Sequence, residues 1–175
     1  SVARAAALLA ESGGKPLAGG QSLVAAMKMR LAQPGTLVDL SGIAELRGIR
    51  REGDHVVIGA MTLHAEVAAS KDVKAAIPAL AALAEGIGDR QVRNMGTLGG
   101  ALANNDPAAC YPAAVLGLGA TVHTNKRKIP ADDFFKGMYE TALAEGELIT
   151  AVSFQIPKKA AYLKLVQPTS RFAVV

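Results

Sequence analysis

The first fifty residues contain two apolar segments with helical spacing and two short apolar segments typical of strands. Leu8 and Leu9 lie among alanines at helical spacing, and the pair Gly13-Gly14 ends that pattern. Ser22 is a residue type that caps helix N-termini, and it precedes a second helical pattern. We therefore predict helices over residues 2–12 and 23–29 and strands over residues 16–18 and 36–40. This order of elements indicates a small α/β lobe in which the two strands pair in parallel.

The pattern changes near residues 51–53, after which strand-like and alanine-rich helical segments follow one another closely. Gly53-Asp54 is a turn sequence between two strand-like segments, which predicts a β-hairpin. The remaining predictions are helices over residues 63–70 and 79–86 and one ending near residue 117, and strands over residues 46–50, 55–59, 121–124, 147–156 and 162–166. We expect the α+β fold class, with one lobe over residues 1–52 and a second over residues 53–162.

The composition is that of a folded protein, since half of the 175 residues are hydrophobic and 19% are charged. Only 4% are aromatic, so the core must consist of aliphatic and small side chains. The net charge is +4, but no stacking aromatics accompany the basic clusters, which disfavours nucleic-acid binding. The longest apolar stretch, residues 113–122, is interrupted by glycines and is shorter than the roughly 20 residues of a transmembrane helix.

The single cysteine, Cys110, cannot form an internal disulfide, which favours a reducing, cytoplasmic location. Its place beside Tyr111 in a helical pattern favours a buried core thiol over a nucleophile. The three histidines, which have no metal-ligand spacing, are His55, His64 and His123. We assign no catalytic and no metal-binding residue. Ser1 in place of an initiator methionine and the apolar residues 172–175 predict a fragment of a longer chain.

Two glycine pairs lie between apolar segments and the starts of predicted helices. Successive glycines leave backbone N–H groups unshielded and can take positive φ, which lets amides converge on an anion. A helix N-terminus adds partial positive charge at the same place. We predict that two such loops facing each other hold a diphosphate; the alternative is that each glycine pair is only a turn. The first loop is Leu17, Ala18, Gly19, Gly20, Gln21, Ser22 and Leu23, and the second is Gly96, Thr97, Leu98, Gly99 and Gly100.

Two other glycine-containing segments do not match known nucleotide-binding motifs. Gly86-Ile87-Gly88 lacks the third glycine of a dinucleotide fingerprint, because Gln91 occupies that place. Gly14-Lys15 lacks both the upstream glycine and the following Ser or Thr of a P-loop. A standard Rossmann domain and a P-loop NTPase are therefore disfavoured.

Several motifs, in order along the chain, resemble those of one flavoprotein family. They are the two loops, residues 17–23 and 96–100, the run Asp89-Arg90-Gln91-Val92-Arg93-Asn94, and the run Asn105-Asp106-Pro107-Ala108-Ala109. In these the chain resembles the FAD-binding medium subunit of molybdenum hydroxylases, which include aerobic carbon monoxide dehydrogenases and xanthine dehydrogenases. The resemblance implies a PCMH-type (vanillyl-alcohol-oxidase-type) FAD-binding domain made of two α/β subdomains. It also implies that residues 163–175 begin a C-terminal domain that the chain does not complete.

The resemblance further implies a role for individual residues. The first loop would bind the FAD diphosphate through its amides, and Thr97, Gly99 and Gly100 would hold the other side of the diphosphate and the ribityl chain. Lys164 matches a lysine near the flavin ring, where a cation stabilises a reduced, anionic flavin. Cys110 stands where many relatives have an acidic residue that bonds the ribose or adenine side. The other implied FAD contacts are Ile87, Gly88, Asn104, Asp106, Leu148 and Ile149.

By the same resemblance, the chain would be one subunit of an oxidoreductase complex in the cytoplasm or at the inner face of the membrane. A large subunit with a molybdenum cofactor would oxidise the substrate, and a small subunit with 2Fe-2S clusters would pass electrons to FAD. The FAD would reduce a quinone, NAD or oxygen. Two alternatives stay open from the residues: a free-standing flavin oxidoreductase of the same fold, and a non-catalytic assembly domain.

Overall fold

The computed structural model describes residues 1–170 and 172–174, which form two lobes that share part of their core. The N-terminal lobe contains α1 (Val2–Ser12), β1 (Lys15–Leu17), α2 (Leu23–Lys28) and β2 (Leu37–Asp39). β1 and β2 pair in parallel, with Lys15 opposite Leu37, so the predicted parallel α/β lobe is confirmed. The left-handed residue Gly13 ends α1, as its glycine pair predicts.

The second lobe combines an antiparallel sheet with seven short helices in the described part of the chain. Its strands are β3 (Ile49–Glu52), β4 (His55–Gly59), β5 (Thr121–Thr124), β6 (Lys128–Pro130), β7 (Phe135–Gly137), β8 (Glu140–Thr141) and β9 (Ile149–Gln155). The helices are α3 (His64–Ala69), α4 (Lys71–Ala76), α5 (Pro78–Glu85), α6 (Arg90–Arg93), α7 (Leu98–Asn104), α8 (Tyr111–Gly117) and α9 (Ala131–Phe134). Five strands form one sheet in the order β3-β4-β9-β5-β6, and β7 and β8 form a separate hairpin. The α+β fold class is confirmed.

The main hydrophobic core lies between this sheet and the helices of the second lobe. Its largest fully buried side chains are Tyr111, Phe134 and Phe154, and aliphatic residues and alanines make up most of the rest. A smaller cluster joins the lobes, because Met61 and Leu148 of the second lobe pack with α1 and β2. The lobes are therefore not independent folding units. No helix in the described ranges is long and apolar enough to cross a membrane.

Three differences from the predicted elements are large, and several other predicted ends differ by one residue. The strand predicted over residues 162–166 is wrong, because only one isolated bridge, Val166 to Ala173, forms there and Leu163 is 90% exposed. The first strand of the hairpin begins at Ile49 rather than at residue 46, because Leu46 ends a 3₁₀ turn and is buried in the smaller cluster. β9 begins at Ile149 rather than at residue 147, because the preceding residues are held by side-chain hydrogen bonds.

Asn105 ends α7 in the left-handed conformation, with φ 44°, and holds the β7–β8 hairpin. Its side-chain amide donates to the carbonyl oxygens of Gly137 at 2.7 Å and Glu140 at 2.9 Å. We expect Asn105→Ala to lower the free energy of unfolding by about 2 to 3 kcal/mol, because two carbonyls lose a donor and alanine disfavours positive φ. Chemical denaturation measures this loss. Asn105→Gly should recover only the backbone part; full recovery by glycine would show that the two hydrogen bonds contribute nothing.

Candidate functional site

The structure brings the two glycine-pair loops into direct contact. A Cβ atom on Gly19 would overlap the carbonyl oxygen of Met95 and lie 2.8 Å from the Cα of Gly96. The backbones of the two loops therefore touch at a place where only glycine fits. The Cβ of Ala18 lies 3.4 Å from the position that a Cβ on Gly100 would take. This contact supports the prediction that the two loops face each other.

The first loop presents a run of unpaired amides. In the described part of the chain, no backbone N–H of residues 19–23 donates a hydrogen bond to protein. Gly20 has φ +72°, the left-handed conformation that lets successive N–H groups point to one side. Ser22 occupies the N-cap position of α2, but its hydroxyl makes no capping hydrogen bond and is exposed. A partly exposed run of N–H dipoles without acceptors is suited to binding an anion.

The second loop differs, because its amides are already paired. The N–H of Leu98 donates to Thr62 O at 3.1 Å and that of Gly99 donates to Ala60 O at 2.8 Å. The N–H of Gly100 donates to Oγ1 of the buried Thr97 at 3.2 Å. The expectation that both glycine pairs present free amides is therefore wrong for the second pair. Its glycines serve close packing instead, since a Cβ on Gly99 would lie 2.6 Å from the Cβ of Ala60.

The segment before the second loop is a tight turn held by two cationic side chains. Nη1 of Arg93 donates to the carbonyl oxygens of Ile87 and Gly88, both at 3.0 Å. Nζ of Lys164 donates to Gly86 O at 3.1 Å, at the C-terminal end of α5, where a cation is favourable. Lys164 thus lies beside the turn that contains Ile87 and Gly88, and the structure brings these three predicted site residues together.

The other residues predicted to contact FAD are half-buried or buried. Asn104 is half-buried at the end of α7, and Oδ1 of Asp106 accepts a hydrogen bond from the N–H of Ala108 at 2.9 Å. The side chains of Leu148 and Ile149 are 4% and 6% exposed and pack in the two hydrophobic clusters. Leu148 belongs to the smaller cluster, against which Ala18 of the first loop also packs. Ile149 packs in the main core, which also contains Leu98 of the second loop.

Sequence reasoning did not find His64, a buried histidine that supports the second loop. The backbone N–H of His64 donates to Gly96 O at 3.0 Å, and its ring Nε2 lies 2.5 Å from the position that a Cβ on Gly96 would take. Burial and, to a lesser extent, the charge of Arg93 lower its pKa to about 4, so the ring is neutral near pH 7. Its ring lies 5.2 Å from that of Tyr111. In the sequence His64 is an isolated histidine, and nothing near it indicates this contact.

Cys110 is a free thiol that is 5% exposed in the main core, so the prediction of a packing cysteine is confirmed. Burial, together with a hydrogen bond to the Cys110 thiol, raises the pKa of Tyr162.

Comparison with known proteins identifies a family and several relatives. The family model for the FAD binding domain in molybdopterin dehydrogenase matches residues 1–159. The chain is 44% identical over 186 residues to the carbon monoxide dehydrogenase medium chain of Hydrogenophaga pseudoflava, covering 99% of this chain and 63% of that one.

Two solved structures have a closely similar fold. Carbon monoxide dehydrogenase from Hydrogenophaga pseudoflava matches with a TM-score of 0.94 at 43% identity, and quinoline 2-oxidoreductase from Pseudomonas putida 86 matches with a TM-score of 0.95 at 32% identity. Each match covers 99% of this chain and 63% of the other. The chain thus spans about 63% of the length of these relatives.

Proposed function

The chain belongs to the family of FAD-binding domains of molybdopterin dehydrogenases, and from this membership we propose that its first loop holds the diphosphate of FAD within a molybdenum hydroxylase complex. The observation that carries the proposal is the run of unpaired amides over residues 19–23. A diphosphate supplies the acceptors that these amides lack. Because Gly19 packs against residues 95–96, the second loop would lie beside the same anion. The residues present therefore fit the cofactor that the family binds.

The two loops have different tasks in this proposal. The first loop donates backbone hydrogen bonds, with the exposed Ser22 hydroxyl as a further donor. The second loop contributes shape: Thr97, Gly99 and Gly100 form a closely packed wall, in which the two glycines let the backbone approach Ala60 and Ala18. Leu148 supports the first loop as part of the cluster that Ala18 contacts.

The flavin ring is assigned to the turn at residues 86–88. Ile87 and Gly88 provide the surface, and Lys164 places a positive charge beside it. When bound, FAD accepts electrons from a one-electron carrier and delivers two to an acceptor. The chain's own residues orient the ring, and the Lys164 ammonium favours negative charge on it. Asn104 and Asp106 are further polar contacts in this proposal, and Ile149 acts only by packing.

The partners are inferred from the family membership. A small subunit would carry the 2Fe-2S centres and a large subunit the molybdenum cofactor, and the single cysteine of this chain holds no cluster by itself. The relatives named above are a carbon monoxide dehydrogenase and a quinoline 2-oxidoreductase by their names, and in this proposal the large subunit acts on the substrate. We place the complex in the cytoplasm, with a quinone, NAD or oxygen as the electron acceptor.

The test is the visible spectrum of the protein, purified as the complete natural chain. We expect a yellow protein with FAD, or an apoprotein that takes up added FAD and quenches its fluorescence. A colourless protein that binds no FAD would overturn the proposal and favour an assembly domain. Co-purification with two further subunits would support the electron relay, whereas substrate oxidation by the isolated chain would favour a free-standing flavoenzyme.

Gly20→Val tests the first loop directly. Valine is strained at φ +72°, and its Cβ would lie 2.9 Å from Cγ2 of Val24, so the amides of the loop must turn away from one another. We expect the dissociation constant for FAD to rise at least about tenfold. The matched control is Gly53→Val, since Gly53 has φ +60° in the β3–β4 turn with nothing within 4 Å. It carries the same backbone strain far from the loop, and an equal loss of FAD affinity in both variants would contradict the assignment.

A further inference from the structure

Arg93 stabilises a turn that lies only a few residues before it in the chain. Its Nη1 donates to two successive carbonyl oxygens, those of Ile87 and Gly88, each at 3.0 Å. Because the donor follows the acceptors by five and six residues, the two hydrogen bonds close residues 87–93 into a ring. Within the ring, Oδ1 of Asp89 accepts from the N–H of Val92 at 2.8 Å and starts α6. One guanidinium therefore joins both of these carbonyls to α6.

Other contacts also support the turn, but in the described part of the chain only Arg93 donates to the carbonyls of Ile87 and Gly88. Ile87 is half-buried against the main core, and its N–H donates to Ala84 O at 3.3 Å. Gly88 is exposed, has φ +50° and has no side chain to pack. Lys164 donates to the preceding carbonyl, that of Gly86, from a mostly exposed segment. Without the Arg93 guanidinium, the carbonyls of Ile87 and Gly88 would lose their protein donor, and the turn would be free to relax.

The other end of the ring over residues 87–93 reaches the contact between the loops. Met95 and Gly96 follow α6 directly, and their backbone is the surface against which Gly19 packs. Behind Gly96 lies the neutral ring of His64, on which the charge of Arg93 acts. The stretch over residues 87–96 thus links the turn assigned to the flavin ring with the loop contact assigned to the diphosphate.

We propose that Arg93 is a positioning residue that fixes the Ile87–Gly88 turn relative to the two loops, and so sets where the flavin ring lies once the diphosphate is bound. The inference rests on the proposed function. It assigns Arg93 no contact with the diphosphate, because its guanidinium points back to the turn. Loss of Arg93 should therefore weaken the hold on the flavin half of FAD and leave the hold on the ADP half intact.

The experiment compares the affinities of the complete natural chain for FAD and for ADP, which contains the diphosphate but no flavin. In Arg93→Met we expect the dissociation constant for ADP to stay within about twofold of wild type and that for FAD to rise about tenfold. The absorption and circular dichroism bands of the bound flavin should also change. Arg93→Lys keeps the charge and can donate to the same carbonyls from a differently shaped side chain. Its dissociation constant for FAD should therefore lie between those of wild type and Arg93→Met.

Arg90→Met is the matched control, because Arg90 is exposed on the same helix and its guanidinium bonds no other described residue. It should match wild type for both ligands. Parallel loss of FAD and ADP affinity in folded Arg93→Lys, or unchanged FAD affinity and flavin bands in Arg93→Met, would overturn the positioning role. If Arg93→Met does not fold, the FAD and ADP affinities of Arg93→Lys alone test the positioning role. The wild-type chain tests the proposed function separately, since a protein that binds neither ligand overturns that function whatever the variants do.

Discussion

Gly19→Ala should separate the two loops and abolish tight FAD binding. The new methyl group would overlap Met95 O and lie 2.8 Å from the Cα of Gly96, and both contacts are with backbone that no side-chain rotation can move away. We expect the dissociation constant for FAD to rise about a hundredfold, equivalent to about 2.7 kcal/mol. The free energy of unfolding should fall by about 1 to 3 kcal/mol, as is typical of overpacking. FAD titration and chemical denaturation measure the two effects.

Gly42→Ala is the control for this substitution. Gly42 follows β2 in the same lobe, is exposed, and would bring a Cβ within 4 Å of nothing. It should leave both FAD affinity and stability within experimental error of wild type. If Gly19→Ala also retained wild-type affinity, the close contact between the loops would not be needed for the cofactor, and the site would have to be placed elsewhere.

The sequence predicts the first loop well because its signal is local. Glycine adopts positive φ readily, as Gly20 does here. The amides of residues 19–23 stay free as long as no protein acceptor reaches them. The second loop carries an equally clear glycine pair, yet its amides are paired. Their acceptors, the carbonyls of Ala60 and Thr62, come from a distant part of the chain, and no local pattern shows that α7 would dock on them.

The same distinction explains which elements of the fold could be predicted. α1 has a strong helical pattern and a glycine C-cap, and it appears with the predicted bounds. β6 has only three residues and is defined by its pairing with β5. It is therefore too short to be predicted from an apolar pattern. The apolar stretch over residues 162–166 does look like a strand, but a strand needs a neighbour, and the described chain gives it a single bridge.

His64 and Arg93 show where sequence reasoning reaches its limit within the site. Arg93 belongs to a run that resembles the family, but its task depends on carbonyl groups, which have no sequence signature. His64 acts through its position against Gly96, a contact between two residues far apart in the chain. Residues that support a loop through contacts with its backbone are therefore found only when the fold is known.

Glu147 is the buried carboxylate that holds the start of β9. Its two oxygens accept from Nε of Arg127 at 3.0 Å and from Nη2 at 3.1 Å. Its Oε2 also accepts from the N–H of Ala144 at 2.9 Å, and its Oε1 from the Thr124 hydroxyl at 2.7 Å. The bond to Arg127 is the main reason that its pKa falls to about 2. The adjoining Leu148 packs in the cluster that joins the lobes, against which Ala18 of the first loop also packs.

Glu147→Gln should lower the free energy of unfolding at neutral pH by about 3 kcal/mol, because a neutral amide cannot replace the carboxylate between these donors. The pKa of Glu147 is lower in the folded chain than its ordinary value of 4.5, so the wild type has this stabilisation in full above pH 4.5. It loses the stabilisation as the pH falls through the folded pKa of about 2. The stability difference between wild type and Glu147→Gln should therefore narrow steadily from pH 4.5 to pH 2, which denaturation at a series of pH values measures.

The neighbouring Glu145→Gln serves as the control, because Glu145 is exposed and its carboxylate accepts no hydrogen bond from a described residue. Its stability should follow that of wild type at every pH. A difference between wild type and Glu147→Gln that stayed constant down to pH 2 would mean that packing of the side chain, and not its charge, stabilises this turn. In that case Arg127→Met would cost little, whereas a true ion pair predicts a loss similar to that of Glu147→Gln, because the buried carboxylate would be left without its cation.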